Sequence, residues 1–321
     1  MLTAVGALLA GCGSGDGAET HTEKPTPIHI ALDGLDGPAN VGILLAQKLG
    51  YFQEAGLEAT ITSPIGPRRP VLYVVEGSVD LSVSHLPQIA LARELGAPIV
   101  AVASVIPDPT AAMLWLQNSK IENLADLEGK TIGIPGIPFQ RDFLASSLEG
   151  AGLTLDDVEV KSVEYELVPA LVSGRVDAIF GGEWNLEGAE LQARGLRPVI
   201  TKAQSLGIPD YEELALIARP DRLAGDPQSI RGFIAATLRG TEAAIEDPEA
   251  AIAAIEGSVG EHPPLGREEI EAELEATLPL LSTDGEMSPN RASQMLDWMQ
   301  EEGMLSNPAP ASSLLSNDYL P

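Results

Sequence analysis

The chain has 321 residues, of which 44% are hydrophobic, so it can build a full core in one large domain or in two lobes of ordinary size. Asp and Glu outnumber Lys and Arg by 47 to 19, which gives a net charge of −28. This charge argues against binding to nucleic acid or to an anionic membrane surface, because both need clustered Lys and Arg. Solubility in a salty or acidic-proteome host is the favoured explanation of the acidity, and attraction of a cationic ligand is the alternative.

The N-terminus has the outline of an export signal. Residues 2–10 form an apolar run that is too short to span a bilayer and that ends in small residues. The sequence Leu9-Ala10-Gly11-Cys12 resembles the lipobox of bacterial lipoproteins, which implies cleavage before Cys12 and attachment of lipid to it. The alternative is a frayed N-terminus with an incidental cysteine. We expect a signal peptide over residues 1–11 and a lipidated flexible tether over residues 12–26.

The few Cys and His residues limit the chemistry. Cys12 is the only cysteine, so an intramolecular disulfide is impossible and a thiolate metal site is implausible. The four histidines include no pair with the i, i+4 spacing of a helical zinc site. The sequence also lacks a Gly-x-Ser-x-Gly elbow and a Walker loop. We therefore expect a protein that is not an enzyme and that needs no metal or cofactor.

The folded body begins with a strand, a loop, a helix and a second strand. Residues 28–33 alternate as a strand does, residues 41–49 read as a helix, and a strand follows at 57–61. This order predicts a parallel sheet. Asp33 and Asn40 flank the glycine-rich loop, where backbone N–H groups can hold polar ligand atoms. Asp33 is therefore a candidate ligand contact, with a turn or helix cap as the alternative.

A helix, a Gly-x-Val-Asp turn and a strand occur twice in the chain. The first copy contains Gly77-Ser-Val-Asp80 and the second contains Gly174-Arg-Val-Asp177. The repeat predicts two α/β lobes of related build. It places Ser84 and His85, after the first strand, opposite Gly182 and Glu183 in the other lobe. A structural role for His85 is the alternative to ligand contact.

We expect the polypeptide to cross between the two lobes twice. Pro107-Asp108-Pro109 interrupts an apolar strand and marks the first crossing, and the second should lie between strands at 196–200 and 214–218. We assign residues 27–107 and 205–321 to lobe 1 and residues 108–204 to lobe 2. The fold class is thus α/β, with two Rossmann-like lobes of mixed or parallel strands joined by two crossover strands. Phe139, in a loop before a helix at 140–148, either lines the cleft or anchors that helix.

The most informative stretch is the one that ends the second repeat. Residues 177–180 read as a buried strand that Gly181 and Gly182 break, and Glu183, Trp184 and Asn185 follow. Ligands of open α/β sheets lie beyond the carboxyl ends of the strands, so these three side chains are candidate ligand contacts. The alternative is a strand-to-helix turn with Trp184 in the core. An acid–base pair of Glu183 and Glu187, as in glycosidases, is a less favoured possibility.

Several motifs in order resemble the solute-binding components of bacterial ABC importers. They are Leu32-Asp33, Gly50-Tyr51-Phe52, Gly77-Ser-Val-Asp80, Leu127-Glu-Gly-Lys-Thr-Ile-Gly-Ile-Pro-Gly-Ile-Pro138, Gly174-Arg-Val-Asp-Ala-Ile-Phe-Gly-Gly-Glu-Trp-Asn185 and Ser316-Asn-Asp-Tyr-Leu-Pro321. The chain looks most like the branch that binds thiamine pyrimidine precursors, riboflavin, nitrate and sulfonates. The resemblance implies the type II periplasmic-binding-protein fold, with ligand contacts at Asp33, Glu183, Trp184 and Asn185. Gly34 stands where pyrimidine-precursor binders carry a Trp, which leaves Trp184 as the expected stacking surface.

The function that the resemblance implies is capture of a small heterocycle of the thiamine-precursor kind. The protein would be a monomer, anchored by lipid outside the cytoplasmic membrane, that delivers its ligand to an ABC permease. Riboflavin, a sulfonate or nitrate are the alternative ligands. A related branch comprises eukaryotic enzymes that make the thiamine pyrimidine from their own histidine, with cysteines and iron. The export signal and the lack of cysteine in the folded body argue against that enzyme.

Overall fold

The computed structural model describes residues 24–33, 36–64, 66, 69–258 and 265–321. These residues form two five-stranded sheets, which define the two lobes. The strands are β1 (Thr26–Ala31), β2 (Leu57–Thr62), β3 (Leu81–Ser84), β4 (Val100–Ile106), β5 (Ala111–Leu116), β6 (Thr131–Ile134), β7 (Glu159–Ser162), β8 (Ala178–Glu183), β9 (Pro198–Lys202) and β10 (Leu214–Ala218). The order is β2-β1-β3-β10-β4 in lobe 1 and β7-β6-β8-β5-β9 in lobe 2.

Both sheets are mixed and have the same plan. β1 is parallel to β2 and β3, and β10 runs antiparallel between β3 and β4. In lobe 2, β6 is parallel to β7 and β8, and β5 runs antiparallel between β8 and β9. In each lobe the antiparallel strand comes directly from the other lobe, through residues 107–110 and 203–213. The prediction of a two-lobe α/β fold with two crossings is confirmed.

Helices cover both sheets and form most of the C-terminal part of the chain. They are α1 (Val41–Leu49), α2 (Tyr51–Glu54), α3 (Arg69–Glu76), α4 (Leu86–Glu94), α5 (Gln140–Glu149), α6 (Leu167–Val172), α7 (Glu187–Ala193), α8 (Pro220–Gly225), α9 (Pro227–Glu246), α10 (Pro248–Ile255), α11 (Arg267–Thr277), α12 (Pro289–Glu301) and α13 (Ala311–Leu314). Asp226 and Asp247 cap α9 and α10 through side-chain hydrogen bonds, as the Asp-Pro pairs predict.

The repeated Gly-x-Val-Asp turn performs the same structural task in both lobes. Asp80 accepts a hydrogen bond from the His29 backbone N–H at 2.8 Å, and its own N–H donates to the His29 carbonyl. Asp177 makes the same reciprocal pair with Thr131, at 2.9 Å through its side chain. Each motif thus ties the strand that follows it to the first strand of its own sheet. The two acids of the motif thus stabilise the pairing of strands within each sheet.

One core cluster joins the two lobes on the hinge side. It includes side chains of β4 and β10 from lobe 1, β5 and β6 from lobe 2, and α4, α5 and α12. A second cluster fills lobe 1 between its sheet and α1, α9 and α10, and a third covers the outer face of the lobe 2 sheet. Helices of the C-terminal part thus pack mainly on lobe 1. α11 also contacts α7 of lobe 2.

Two local expectations need correction. β1 begins at Thr26, inside the segment predicted as tether, because its backbone pairs with β2 from that residue onward. β8 continues through Gly181 and Gly182 to Glu183, where the sequence predicted a break, because its pairing with β5 accommodates the glycines through a shift in register.

The export and lipidation signals predicted around Cys12 lie outside the described residues. Within the described ranges, none of the helices has both the length and the apolar composition to cross a membrane.

Candidate ligand site between the lobes

A small cavity lies where the carboxyl ends of strands from both sheets meet. Its volume is about 40 Å³, which is room for a few water molecules. Lobe 1 contributes residues after β1 and β3, lobe 2 contributes residues at the ends of β6 and β8, and both crossings supply a wall. The lining residues are Asp33, His85, Ala111, Pro135, Ile137, Gln140, Tyr165, Leu167, Gly181, Glu183, Leu186, Glu187 and Glu213. We call this space the inner cavity.

Asp33 forms the lobe 1 side of the inner cavity, immediately beyond β1. Its Oδ1 accepts a hydrogen bond of 2.7 Å from Nδ2 of Asn40, at the start of α1. Its backbone carbonyl accepts a hydrogen bond of 3.2 Å from the hydroxyl of Tyr165, which belongs to lobe 2. Tyr165 therefore bridges the lobes directly over the site.

Glu213 holds the hinge side of the inner cavity and is 2% exposed. Its Oε2 accepts hydrogen bonds from the backbone N–H groups of Thr110 at 2.7 Å and Ala111 at 3.3 Å, and from the Tyr211 hydroxyl at 3.2 Å. Its Oε1 is 2.8 Å from Nδ1 of His85. One carboxylate thus joins both crossing segments to the end of β3.

Glu213 and His85 stabilise each other's charged forms. Burial raises the pKa of Glu213, but the hydrogen bond and charge of His85 and the two backbone N–H groups outweigh burial and bring that pKa below its usual value. Burial lowers the pKa of His85, yet the hydrogen bond and charge of Glu213 outweigh it and raise that pKa. Each group thus favours the charged form of the other, and Nδ1 of His85 is committed to the contact with Glu213.

A β-bulge at Gly181 decides which side chains of β8 reach the inner cavity. The pairing of β5 with β8 skips this residue, since Ala112 faces Gly182 and Met113 faces Phe180. Gly181 has a φ of +76°, a conformation that glycine adopts readily. Because successive strand residues point to opposite faces, one inserted residue exchanges the faces of all later residues. Glu183 therefore shares the inner face with Phe180.

Glu183 is a carboxyl group that favours its neutral form. Burial raises its pKa well above the usual value, and the charges of Glu213, Glu187 and Asp33 raise it further, against a smaller opposing effect of Thr110. Its Oε2 is buried and has no hydrogen-bond partner among the described residues. A neutral carboxylic acid is both a donor and an acceptor, so Glu183 can serve a ligand atom of either kind.

Glu187 is the first residue of α7 and closes the end of β8. Its Oε2 accepts a hydrogen bond of 2.6 Å from the backbone N–H of Glu183. Burial raises its pKa to about 7, against the effect of that hydrogen bond. The side chain of Glu187 is thus bound within the turn after β8. The sequence raised an acid–base pair of Glu183 and Glu187, and the contact in the structure is instead one between the Glu187 side chain and the Glu183 backbone N–H.

A wide cleft of about 1210 Å³ opens from the inner cavity toward solvent. The two spaces share Asp33, Tyr165, Leu186 and Glu187. Carboxylates dominate the cleft wall, and its guanidinium groups have acidic partners, since Arg175 pairs with Glu166 at 2.8 Å and Arg194 with Glu190. We call this space the outer cleft. Its charge favours neutral or cationic solutes over anions.

Acids of both lobes face each other across the outer cleft. Glu273 of α11 is 5% exposed, and burial together with the charges of Glu187, Glu190 and Glu269 raises its pKa to about 9, although Arg194 opposes this. The folded protein therefore keeps a proton on Glu273 at neutral pH, which the unfolded chain releases.

Glu273→Gln should stabilise the protein at alkaline pH. Between pH 4.5 and pH 9 the folded state binds the extra proton, so the free energy of unfolding of the wild type falls as pH rises. We expect the variant to be more stable than the wild type by about 4 kcal/mol at pH 8 and by under about 1 kcal/mol at pH 5. Urea denaturation across this range measures the difference. Glu275→Gln, on an exposed position of the same helix, is the control; parallel profiles for wild type and Glu273→Gln would contradict the prediction.

The structure brings together four of the eight side chains predicted to contact ligand. Asp33, His85 and Glu183 line the inner cavity, and Asn40 lines the outer cleft beside Asp33. Ser84, Phe139, Trp184 and Asn185 line neither space.

Trp184 lies on the opposite face of the lobe 2 sheet. Its ring packs against the cluster that includes Leu114 and Ile179, and Nζ of Lys202 lies 3.6 Å from the ring centroid. The bulge at Gly181 is the reason, because it turns Glu183 inward and its neighbour outward. The structure therefore gives no support to Trp184 as a stacking surface for a ligand, and the core interpretation of this residue fits its surroundings.

The remaining three residues have structural contacts. Phe139 is 1% exposed in the shared core, with its ring centroid 4.8 Å from that of Phe143. Ser84 is buried beneath the start of α4. Asn185 is fully buried and donates from Nδ2 to the hydroxyl of Thr277 at 2.9 Å, so it joins lobe 2 to α11.

Ten of the thirteen lining residues of the inner cavity were not predicted as ligand contacts, and the polar ones among them that had been given no role are Gln140, Tyr165 and Glu213. Tyr165 is a polar side chain that follows a strand, and the same pattern led to the prediction of Asp33 as a ligand contact. Glu213 is one of two adjacent acids that precede the apolar strand 214–218 at the predicted crossing, and acids next to a buried strand indicate a special partner. Gln140 had no signal beyond its place at the start of a helix.

No group of three or more His, Cys, Asp or Glu side chains suited to hold a metal ion occurs in the part of the chain that the structure describes.

The architecture and the position of the site define a two-lobed binding-protein fold. Solved structures of the same fold include the aliphatic sulphonate binding protein SsuA from Escherichia coli, with a TM-score of 0.71 and 18% identity over 91% of this chain and 92% of that one. A Candida albicans protein described as having the generic periplasmic binding protein fold has a TM-score of 0.68 and 14% identity over 92% and 98%. The family described as NMT1/THI5 like matches residues 38–251, and the chain belongs to that family.

Three relatives are similar to this chain in sequence over two thirds or more of its length. A formylaminopyrimidine-binding protein of Halalkalibacterium halodurans is 28% identical over 96% of this chain and 94% of its own length. A putative thiamine biosynthesis protein of Haemophilus influenzae is 31% identical over 87% and 88%. A 4-amino-5-hydroxymethyl-2-methylpyrimidine phosphate synthase of Saccharomyces cerevisiae is 28% identical over 70% and 66%.

Proposed function

We propose that this protein is the extracytoplasmic solute-binding component of an ABC importer and that its ligand is a small aminopyrimidine. The ligand is captured between the lobes and shifts an open–closed equilibrium toward the closed form. The closed form then presents the ligand to a membrane permease. No bond of the ligand is made or broken in this mechanism.

The observation that carries this proposal is the composition of the inner cavity wall. Asp33 and His85 come from lobe 1, Gln140 and Glu183 from lobe 2, and Ala111 and Glu213 from the two crossings. A solute that places its polar edge in the inner cavity and the rest of its ring in the adjoining outer cleft would contact both lobes and both crossings at once. Such contacts exist only when the lobes are closed, so the solute binds the closed form in preference to the open one.

The polar groups of the wall suit a 4-aminopyrimidine. The neutral acid of Glu183 can donate its O–H to a ring nitrogen while its carbonyl oxygen accepts from the adjacent exocyclic amino group. The carboxylate of Asp33 adds a further acceptor. Sulfonate and nitrate would need donors at these positions, and the carboxylates of the outer cleft would repel them. The names of the bacterial relatives agree with a pyrimidine-like ligand.

Enzymatic synthesis of a pyrimidine is the second candidate, and the fungal relatives that are named as synthases favour it. The bacterial binding protein matches almost the whole of this chain and of itself, whereas the yeast synthase matches about two thirds of each. We therefore place this protein with the binding proteins. Turnover of a bound pyrimidine, or iron bound by the purified protein, would favour the synthase.

A thermal-unfolding screen tests the ligand class. A 4-amino-2-methylpyrimidine at 100 times its dissociation constant adds about 2.7 kcal/mol to the free energy of unfolding, which should raise Tm by roughly 5 to 10 °C. Riboflavin, an alkanesulfonate and nitrate are measured beside it. Stabilisation by the sulfonate or by nitrate, with none by the pyrimidine, would contradict the proposal.

We further propose attachment to the outer face of the cytoplasmic membrane through lipid on Cys12, with the residues between Cys12 and β1 as the connecting segment. The Leu9-Ala10-Gly11-Cys12 sequence supports this. Incorporation of labelled palmitate into the wild type and not into Cys12→Ser is the expected result, and equal labelling of both would contradict it.

A further inference from the structure

Gln140 is one of the inner-cavity residues for which neither the sequence nor the family resemblance predicted a role. It begins α5 and is 3% exposed. Its side chain lines the inner cavity beside Gly181 and Glu183. Its Oε1 has no hydrogen-bond partner among the described residues. A buried acceptor without a partner is costly, so such an atom in a cavity wall indicates a ligand that supplies a donor.

The bulge in β8 fixes the orientation of this amide. Nε2 of Gln140 donates a hydrogen bond of 3.1 Å to the carbonyl of Gly181. The positive φ of Gly181 turns this part of the backbone away from the regular ladder, and a Cβ there would lie 2.5 Å from Nε2. Because Nε2 must face the carbonyl, the other amide atom is Oε1, an acceptor only. The same bulge that turns Glu183 inward therefore also sets the chemistry of Gln140.

The geometry points to Gln140 as a specificity-determining residue whose Oε1 accepts a hydrogen bond from the exocyclic amino group of the ligand. This inference rests on the proposed function. An amino group carries two N–H donors, and Gln140 and Glu183 offer two acceptors on either side of the Gly181 bulge. An analogue without the amino group leaves both acceptors unpaired, and a site built this way discriminates strongly against it.

The test compares two ligands on matched variants by isothermal titration calorimetry. The ligands are a 4-amino-2-methylpyrimidine and the 2-methylpyrimidine in which hydrogen replaces the amino group. The variants are Gln140→Leu and Gln140→Met, which remove the polar atoms and keep the approximate volume, so the test does not depend on one variant folding. Gln88→Leu is the control, since Gln88 is a buried glutamine of α4 that lines neither space.

The expected result is a loss specific to one ligand. Gln140→Leu and Gln140→Met should bind the amino ligand about tenfold more weakly than the wild type and bind the amino-free ligand within about twofold of it. Gln88→Leu should match the wild type for both. Equal losses for the two ligands, or no loss for either, would overturn the role of Gln140 and leave the proposed function standing. Failure of the wild type to bind either pyrimidine would overturn both.

Discussion

Glu183→Ala should weaken binding of a 4-amino-2-methylpyrimidine by about 100-fold, equivalent to about 2.7 kcal/mol, whereas Glu183→Gln should weaken it by less than about tenfold. Alanine removes the donor and the acceptor that face the cavity. Glutamine keeps both, since a carboxamide has an N–H donor and a carbonyl acceptor in nearly the same places as a neutral carboxylic acid. The comparison therefore tests the protonation state of Glu183 as well as its contact with the ligand.

The pH dependence of binding gives a second readout of the same residue. The raised pKa of Glu183 means that the wild type should lose affinity as the pH rises and its carboxyl group ionises, while Glu183→Gln should not. Calorimetric titrations over a range of pH measure both proteins. Glu166→Ala, at an acid on the wall of the outer cleft, serves as the control and should bind as the wild type does.

Two outcomes would contradict this account. Equal losses in the alanine and glutamine variants would mean that Glu183 binds as a carboxylate. Unchanged affinity in Glu183→Ala would remove Glu183 from the site altogether.

Glu213→Gln should lower the free energy of unfolding by about 2 to 4 kcal/mol, a change larger than most single substitutions produce. The glutamine cannot accept from all four donors that now converge on the carboxylate, namely His85, Thr110, Ala111 and Tyr211. Its amide N–H would face another donor in a buried place, and His85 would lose its counter-charge. Urea denaturation measures the loss, with the slope of the transition as a check that the unfolded state is unchanged.

A control variant and the pH profile distinguish loss of the Glu213 contacts from destabilisation that any substitution in the crossing segments would cause. Asp108→Asn, at an acid of the first crossing whose side chain is 63% exposed, should cost under about 1 kcal/mol. The raised pKa of His85 stabilises the fold below its unfolded value of 6.5, and the lowered pKa of Glu213 stabilises it above 4.5. The difference between wild type and Glu213→Gln should thus be largest between about pH 5 and 6.5; a difference independent of pH would contradict the ion pair.

The hinge contacts explain why this carboxylate matters for closure as well as for stability. Arg291 of α12 donates to the Pro107 carbonyl at 2.7 Å and to Asp108 at 2.9 Å, so the first crossing is held from both sides. Glu213 binds the first crossing on the side of the inner cavity, and Arg291 binds it on the opposite side. In the closure that we propose, the lobes would therefore turn about two crossing segments that are fixed to each other.

Local signals in the sequence determined the elements and their order. α1 and β10 coincide with the predicted ranges 41–49 and 214–218. Each of these elements is set by neighbouring residues, through apolar periodicity and through breakers at its ends. The repeated Gly-x-Val-Asp turn predicted two related lobes for the same reason, since turn, helix and strand are all local. Asp33 and Glu183 could be singled out because a polar residue after a buried strand is also a local pattern.

Tertiary structure alone decided which of these residues face one another. Glu183 and Trp184 are adjacent, so both lie at the same strand end, and only the bulge at Gly181 determines that the acid faces the inner cavity and the indole faces the outer cluster. The partners His85 and Glu213 are 128 residues apart, and Gln140 is 41 residues from the carbonyl that orients it. A bulge depends on how β5 pairs with β8, and a long-range hydrogen bond depends on how two lobes fold together. Neither is encoded in the spacing of nearby residues.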